Sequence, residues 1–286
     1  MMNKDFAAFI LTHGRPEKVI TYKNLKNSGY TGKIYLLVDD LDKTKDQYIQ
    51  KYKDEVIVFD KKAIAKTFDQ ADNFNDMRAI IYARNASFEI AKKLKLKYFI
   101  QLDDDYTNFS YRFDDQLNYN GKTCRNLDEV FKSCLKFFKS TNISSIAFSQ
   151  GGDFIGGAGN QLALKIQLKR KCMNSFICST ERPFKFVGRI NEDVNTYTRL
   201  ASTGLLLFTI NQFSLTQKQT QSNSGGMTEL YLDSGTYVKS FYTVIFQPSS
   251  VKVKVMRTNI SSRLHHSIDW DKTVPKIISE EHRKKR

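Results

Sequence analysis

The chain has 286 residues, 41% of them hydrophobic and 13% aromatic, so it is long enough for one large or two small domains with a substantial core. No apolar run approaches the roughly 20 residues of a membrane-spanning helix, and the amino-terminal residues lack a signal-peptide pattern, so we expect a cytoplasmic protein without a membrane partner. Forty-five Lys and Arg against 30 Asp and Glu give a net charge of +15, which favours a polyanionic partner such as nucleic acid, acidic lipid headgroups or nucleotide phosphates. The alternative is that lysine serves here only as a solubilising residue.

The first part of the chain alternates between short apolar runs and helical patterns. Apolar runs at residues 6–12, 33–38 and 56–59 predict buried strands. Between them we expect a helix that ends near residue 29 and a polar helix over 43–53. Strands that alternate with helices are typical of a parallel sheet with helices on its faces.

The middle of the chain continues this pattern. Residues 77–95 predict a helix with a buried apolar stripe. Residues 97–102 predict a buried strand that runs directly into three carboxylates. Residues 107–122 look like an irregular polar excursion, and a helix over 127–140 and a strand over 144–149 follow it.

The chain changes character after residue 150. A glycine-rich loop at 151–160 lacks the spacing of a dinucleotide fingerprint or a P-loop, which argues against a Rossmann dehydrogenase and against a P-loop NTPase. The further predicted segments are strands at 174–179, 204–210, 240–247 and 250–256, a helix near 192–201, a polar segment at 214–226 and a basic tail at 281–286. Because there is no internal repeat and no linker, we expect one domain over residues 1–286.

Polar groups follow four predicted strands at the point where each strand ends. They are Thr12 to Arg15, Asp39 and Asp40, Asp103 to Asp105, and the glycine-rich loop after Ser149. Ligands bind at the carboxyl ends of the strands in an open α/β sheet, so these groups together predict a binding site. Three consecutive carboxylates repel one another unless a cation offsets them, and a divalent metal that also holds a phosphate does so well. The alternative for the three aspartates is a solvated turn, in which Asp is common.

Two further groups could contribute chemistry. Glu192 and Asp193 lie at a predicted helix start, where they either complement the helix dipole or supply a general base that deprotonates an acceptor hydroxyl. His265 and His266 are either surface residues of a polar loop or ligands that complete a metal shell begun by the aspartates.

Taken in order, these motifs resemble those of GT-A glycosyltransferases. The matching segments are Leu11–Pro16 with the opening Thr-x-x-Arg-Pro, Asp39-Asp40 after the second strand, Ala83-Arg84-Asn85 before the metal-binding strand, Leu102–Asp105 with the Asp-x-Asp, and Asn191-Glu192-Asp193 with the x-Glu-Asp of inverting members. Their order and spacing match over roughly residues 6–200. Within that class the chain resembles the TET-associated glycosyltransferases, which are mostly encoded by phages.

The resemblance implies a fold, a donor and an acceptor. It implies an α/β, GT-A-like fold with a Rossmann-like nucleotide-sugar half over about residues 1–150, a mixed central sheet, and a more irregular acceptor half over about 151–286. It implies a UDP-sugar donor with Mn²⁺ or Mg²⁺. The implied reaction is inverting transfer to the hydroxymethyl group of a 5-hydroxymethylpyrimidine, 5-hydroxymethylcytosine favoured, in double-stranded phage DNA in the host cytoplasm.

The resemblance also implies roles for individual residues. Asp193 would take the proton of the acceptor hydroxyl, and Glu192 would hold the acceptor or help to position the base. The expected metal ligands are Asp103, Asp105, His265 and His266. The expected donor contacts are Thr12, Arg15, Asp39, Asp40, Arg84, Asn85, Asp103 and Asp104.

Two rival functions stay open at this point. One is a GT-A glycosyltransferase that acts on a glycan, a lipid-linked sugar or a protein, and the lack of an apolar span counts against the lipid-linked acceptors. The other is a non-catalytic DNA-binding module. Such a module would have lost one of its two acidic motifs, whereas both are intact here.

Overall fold

The computed structural model describes residues 2, 4–116, 118–150, 168–170, 172–217, 232–233, 235, 237–257 and 262–275. The glycine-rich loop at 151–160, the basic tail at 281–286 and residues 218–226 of the predicted polar segment lie outside the described residues. Within the described ranges, no helix is both long enough and apolar enough to cross a bilayer.

Eleven strands and eight α-helices form the described fold. The strands are β1 (Phe6–Leu11), β2 (Lys33–Asp39), β3 (Val56–Phe59), β4 (Tyr98–Asp103), β5 (Tyr106–Phe113), β6 (Tyr119–Thr123), β7 (Ser145–Gln150), β8 (Phe176–Ser179), β9 (Leu207–Gln217), β10 (Val251–Arg257) and β11 (Ser262–Ile268). The helices are α1 (Ile20–Asn27), α2 (Lys45–Tyr52), α3 (Lys61–Ala65), α4 (Ile81–Lys93), α5 (Leu127–Ser140), α6 (Glu192–Ser202), α7 (Val238–Phe246) and α8 (Trp270–Thr273). Two short 3₁₀ helices cover Pro16–Lys18 and Lys53–Glu55.

Nine of the strands form one mixed sheet in the order β3-β2-β1-β4-β8-β7-β9-β5-β6. The first four strands in that order are parallel to one another. Strand β8 runs antiparallel between β4 and β7, β9 is parallel to β7, and β5 and β6 complete the sheet as antiparallel strands. The carboxyl ends of β1, β2, β3 and β4 therefore share one edge. The predicted α/β class, with a mixed central sheet and a Rossmann-like amino-terminal half, is confirmed.

Helices cover both faces of this sheet. Alternate residues of β1 point to opposite sides, so that Phe6 and Ile10 pack with α1, α2 and α5, whereas Phe9 packs with α3, α4 and α6. Every residue of β1 is buried. A central strand that is covered on both faces needs an uninterrupted apolar sequence, which is why this run could be recognised without any alternation.

Two predicted elements are wrong, and the first residues of a third, the polar segment at 214–226, belong to strand β9. Residues 107–122 were expected to be irregular, but they contribute to the antiparallel strands β5 and β6. Most of β6 is exposed because it is the edge strand, so its sequence lacks an apolar signal. Residues 240–247 were expected to form a strand, but Val238–Phe246 is helix α7. A short apolar run does not by itself distinguish a strand from a buried helical segment.

The carboxyl-terminal part of the chain contributes a second, smaller sheet. Strands β10 and β11 pair antiparallel in a two-stranded sheet of their own. This ribbon packs against α7, and α7 packs against α6. The predicted strand at 250–256 is therefore confirmed, while its partner β11 was not anticipated.

Candidate active site

The three aspartates follow β4 at the edge where the parallel strands end. Helix α1 fixes the turn that carries them. The hydroxyl of Thr21 donates to the carbonyl of Asp103 at 2.6 Å and accepts the backbone N–H of Tyr106 at 2.9 Å, and the N–H of Thr21 donates to the carbonyl of Asp104 at 3.0 Å. Because the backbone is held at both sides of the turn, the three side chains point in defined directions.

Asp104 joins β4 to the first motif. Its Oδ2 accepts hydrogen bonds from the hydroxyl of Thr12 at 2.6 Å and from Nε of Arg15 at 2.8 Å. The hydroxyl of Tyr48 lies 2.8 Å from that of Thr12 and accepts the N–H of Arg15 at 2.9 Å. Asp104 is fully buried. The structure thus brings Thr12, Arg15 and Asp104 together, and it uses Asp104 to hold the loop after β1 in place.

The end of β2 forms a second charged group at the same edge. Oδ2 of Asp39 lies 2.7 Å from Nδ1 of His13 and 3.3 Å from Nζ of Lys61. Burial alone would raise the pKa of Asp39, but the hydrogen bond from His13 and the charge of Lys61 outweigh burial and lower it. Oδ1 of Asp40 accepts the N–H of Lys61 at 2.8 Å and so positions the start of α3.

Sequence reasoning missed three residues that contribute to the two groups at this edge. Asp42 accepts the N–H of Gly14 at 2.7 Å, and Tyr48 and Lys61 make the contacts described above. Lys61 could have been found, because it follows β3 and strand β3 ends at the same edge. Tyr48 lies in a helix whose sequence carries no motif, so only the fold reveals its contact.

The two acidic motifs meet at Arg84. Its Nε donates to Oε1 of Glu192 at 2.8 Å, one of its terminal nitrogens donates to Oδ1 of Asp103 at 3.1 Å, and the other reaches Oε1 of Gln101 at 3.5 Å. Only 1% of Arg84 is exposed, and its guanidinium lies 5.0 Å from the ring centroid of Phe176. Arg84 therefore joins the Asp-x-Asp of β4 to the x-Glu-Asp of α6 in the buried interior. The sequence predicted Arg84 as a donor contact, and the structure places it at this buried position.

This buried cluster shifts several pKa values in one direction. Burial, helped by the nearby carboxylates and opposed by Arg84, raises the pKa of Asp103 to about 7. Burial and the charge of Asp104 raise the pKa of Asp105. Burial also raises the pKa of Glu192, although Arg84 opposes it. The cluster therefore holds more acidic groups than its single buried guanidinium can neutralise.

Asn85 has a structural partner instead. Its Nδ2 donates to the carbonyl of Phe186 at 3.1 Å, and its Oδ1 accepts the N–H of Phe186 at 2.9 Å. The side chain is fully buried. Because both polar ends are occupied by one backbone unit, Asn85 fixes the segment before α6 and offers no group to a donor in this structure.

Helix α6 presents Glu192 and Asp193 in its first turn. Asn191 precedes them in the left-handed region with φ 61°, which Asn tolerates better than most residues. Nδ2 of Asn191 donates to the hydroxyl of Thr243 on α7 at 2.6 Å. Oδ1 of Asp193 accepts the N–H of Val194 at 2.8 Å. Within the described part of the chain Asp193 forms no ion pair, whereas Glu192 is bound by Arg84.

The expected metal shell is not assembled. Among the described residues, no three His, Cys, Asp or Glu side chains are grouped so that they could hold a metal ion. His265 and His266 lie on β11 of the separate ribbon, with ring centroids 4.2 Å apart. The ribbon that carries them packs against α7, which in turn packs against α6.

Asp103 and Asp105 alone still fit a divalent ion that arrives with its substrate. Oδ1 of Asp105 is buried and has no hydrogen-bond partner among the described residues, and both carboxyls have raised pKa values that a cation would offset. Mg²⁺ is commonly held by one or two carboxylates together with substrate phosphates. The two carboxylates are therefore suited to binding a metal–diphosphate complex and not a free metal ion.

The similarity of this chain to solved structures is low. S. aureus TarS in complex with UDP is 11% identical, and the match covers 86% of this chain and 65% of that chain with a TM-score of 0.47. In a longer TarS structure, also at a TM-score of 0.47, this chain spans only 39% of the other chain. The mannosyltransferase PcManGT from Pyrobaculum calidifontis, in complex with GDP-Man and Mn²⁺, is 10% identical, and the match covers 86% of this chain and 74% of that chain with a TM-score of 0.46.

Comparison at the level of families is more specific. No curated protein sequence is significantly similar to this chain. The model of the TET-Associated Glycosyltransferase family, however, matches residues 6–226, which contain all nine strands of the large sheet and both acidic motifs. The match confirms the resemblance found in the motifs. The chain therefore belongs to the TET-associated glycosyltransferase family.

Proposed function

We propose that this enzyme transfers a sugar from a UDP-sugar to the hydroxymethyl group of a 5-hydroxymethylpyrimidine in DNA, with 5-hydroxymethylcytosine as the favoured base. The reaction would need Mn²⁺ or Mg²⁺ and would invert the anomeric carbon. One observation carries the proposal: Arg84 binds Asp103 and Glu192 at the same time. A donor-side carboxylate and an acceptor-side carboxylate therefore belong to one site.

The donor side follows from the strand ends. Asp103 and Asp105 would hold the metal, which neutralises the diphosphate and stabilises it as a leaving group. Asp39 and Asp40 lie where β2 ends, beside His13 and Lys61. We assign this second group to the nucleoside, because a carboxylate can accept hydrogen bonds from ribose hydroxyls. Arg84 is buried against Asp103 and keeps that carboxylate oriented.

The acceptor side requires a base. A hydroxymethyl group is a weak acid, so its attack is faster when a carboxylate within hydrogen-bond distance takes the proton. Glu192 is bound by the guanidinium of Arg84 and is therefore suited to positioning. One carboxylate oxygen of Asp193 accepts the N–H of Val194, and no described residue donates a hydrogen bond to the other oxygen. We assign the proton transfer to that second oxygen, and a single in-line displacement then inverts the sugar.

The DNA acceptor is supported by charge and by family. A net charge of +15 attracts a polyanion, and the resemblance to the TET-associated glycosyltransferases implies a 5-hydroxymethylpyrimidine in DNA as the acceptor. A substituent on C5 of a pyrimidine lies in the major groove, so the acceptor hydroxyl is accessible at the surface of a duplex. A glycan acceptor would give no reason for so strong a positive charge.

The test is a panel of acceptors and donors. Duplexes that contain 5-hydroxymethylcytosine, 5-hydroxymethyluracil or unmodified cytosine are incubated with several UDP-sugars and Mn²⁺, and the nucleosides released by digestion are analysed by mass spectrometry. We expect one hydroxymethylated nucleoside to gain the mass of one sugar residue, and the unmodified duplex to gain nothing. Donor hydrolysis without any modified nucleoside, or transfer to a glycan acceptor only, would refute the DNA assignment.

A further inference from the structure

The β10–β11 ribbon is strongly basic. Its two strands, Val251–Arg257 and Ser262–Ile268, contain the cations Lys252, Lys254, Arg257 and Arg263 and no Asp or Glu. All four cations are exposed. None of them forms an ion pair with a carboxylate in the described ranges. The ribbon also lies beyond the residues that the family model matches, so it is a feature of this chain that the family assignment does not explain.

The outer half of the ribbon projects from the protein. Near α7 the ribbon is packed, since Val251 is 1% exposed and His266 is 7% exposed. Further out, Val255 and Leu264 face each other across the strands and are 58% and 39% exposed. Lys254, on the opposite face of the ribbon, is exposed as well. Solvent therefore reaches both faces, and the outer half does not lie flat on the core.

One helix connects the ribbon to the candidate base. The ribbon packs against α7 and α7 packs against α6. On the inner side of α7, the hydroxyl of Thr243 accepts from Asn191 at 2.6 Å and donates to Oδ1 of Asn195 at 2.8 Å. Asn191 directly precedes Glu192 and Asp193. A polyanion held by the ribbon would therefore be positioned relative to the carboxylates of the acceptor side through a short chain of contacts.

We propose that the β10–β11 ribbon docks in the major groove of duplex DNA, with its four cations against the flanking phosphates. This inference rests on the proposed function and adds the surface that holds the acceptor. Two strands about 4.8 Å apart, with their side chains, match a groove about 12 Å wide, which is known to admit a two-stranded ribbon. Single-stranded nucleic acid is bound on aromatic platforms, and neither strand contains Phe, Tyr or Trp.

The test compares two variants that each lose four positive charges. The ribbon variant carries Lys252→Gln, Lys254→Gln, Arg257→Gln and Arg263→Gln. The control variant carries Lys33→Gln, Lys92→Gln, Lys93→Gln and Lys97→Gln, all exposed residues near the opposite edge of the large sheet, where β2 and β4 begin. Each protein is titrated against a labelled, unmodified 24-bp duplex over a range of salt concentrations, and thermal unfolding checks that both variants fold.

We expect the ribbon variant to bind the duplex at least about tenfold more weakly at a given salt concentration, and its plot of log affinity against log salt to be less steep by roughly 2 to 4. The control variant should change both quantities much less. Equal losses in the two variants would show that net charge, and not the ribbon, binds DNA. A ribbon variant that loses affinity only for a single strand of the same sequence would also overturn the proposal.

The proposal and the proposed function can fail separately. If the parent enzyme transfers no sugar to hydroxymethylated DNA but the ribbon variant still loses duplex binding, the acceptor assignment fails and the ribbon stands. If the parent enzyme does transfer sugar to a hydroxymethylated duplex, and the ribbon variant does so with unchanged KM, the ribbon assignment fails and the function stands. We expect a KM for the duplex raised at least about tenfold with a nearly unchanged kcat.

Discussion

Replacing Arg84 by Met removes the one guanidinium that joins the two acidic motifs. The substitution leaves Glu192 without its 2.8 Å partner and Asp103 without its 3.1 Å partner, while the unbranched Met side chain fills much of the same space beside Phe176. Arg84 is buried, so water cannot replace the lost donors without opening the structure. The two carboxylates would then be buried without a counter-charge.

Breaking a buried ion pair typically costs about 3 to 5 kcal/mol, because an uncompensated charge is left behind. We expect the free energy of unfolding of the Arg84→Met variant to fall by about that amount. Part of the loss should be recovered when Glu192→Gln is added, since a neutral amide needs no counter-charge. Contacting residues usually couple by roughly 0.5 to 3 kcal/mol, so the double variant should lose less stability than the sum of the two single losses by an energy of that order.

The assay is urea unfolding of the parent enzyme, the two single variants and the double variant, with Mn²⁺-dependent binding of UDP as a second readout. Arg189→Met is the matched control, because Arg189 is 2% exposed at its side chain and pairs with Asp72 and Asp76 away from β4. Both Arg variants should lose stability, but only Arg84→Met should weaken UDP binding. An Arg84→Met variant as stable as the parent, or no coupling with Glu192→Gln, would refute the bridging role.

Two further predictions concern the metal. Asp105→Ala should abolish transfer while changing thermal stability little, because its Oδ1 is buried without a hydrogen-bond partner among the described residues, and burial, which raises the pKa of Asp105, offsets its hydrogen bond with Gln217; full turnover of metal-free enzyme in excess EDTA would contradict this. The double variant His265→Ala, His266→Ala should keep the Mn²⁺ dependence of the parent, because among the described residues these rings join no metal-binding cluster with the aspartates. A markedly higher Mn²⁺ requirement in activity titrations would return the histidines to the site.

The sequence predicted which groups share the site because the ends of buried strands can be recognised in the sequence. Uninterrupted apolar runs identified β1, β2 and β4, and parallel pairing then placed Thr12, Asp39 and Asp103 at one edge. The contacts of Arg84 could not be predicted in the same way. Its motif suggested a substrate contact, but helix packing buried the side chain between β4 and α6. Burial depends on tertiary packing, which local sequence does not encode.

The carboxyl-terminal part was predicted less well for a related reason. The apolar residues of α7 resemble a strand, and its helical state depends on inward contacts from Tyr242 and Thr243. The position of His265 and His266 depends on the pairing of β11 with β10, a register that no motif indicates.

The most direct test of the central claim is single-turnover transfer by the Asp193→Asn variant. The substitution keeps the shape of the side chain and its bond to the N–H of Val194, but removes the basicity. The enzyme is mixed in excess with a duplex that contains 5-hydroxymethylcytosine, UDP-sugar and Mn²⁺, and modified nucleoside is quantified over time. We expect unchanged binding of UDP-sugar and DNA, transfer slower by roughly 10² to 10⁴, and an inverted anomeric configuration in the parent product. Near-parental transfer by Asp193→Asn, with Glu192→Gln inactive, or a retained configuration by NMR, would contradict the assignment of Asp193 as the base.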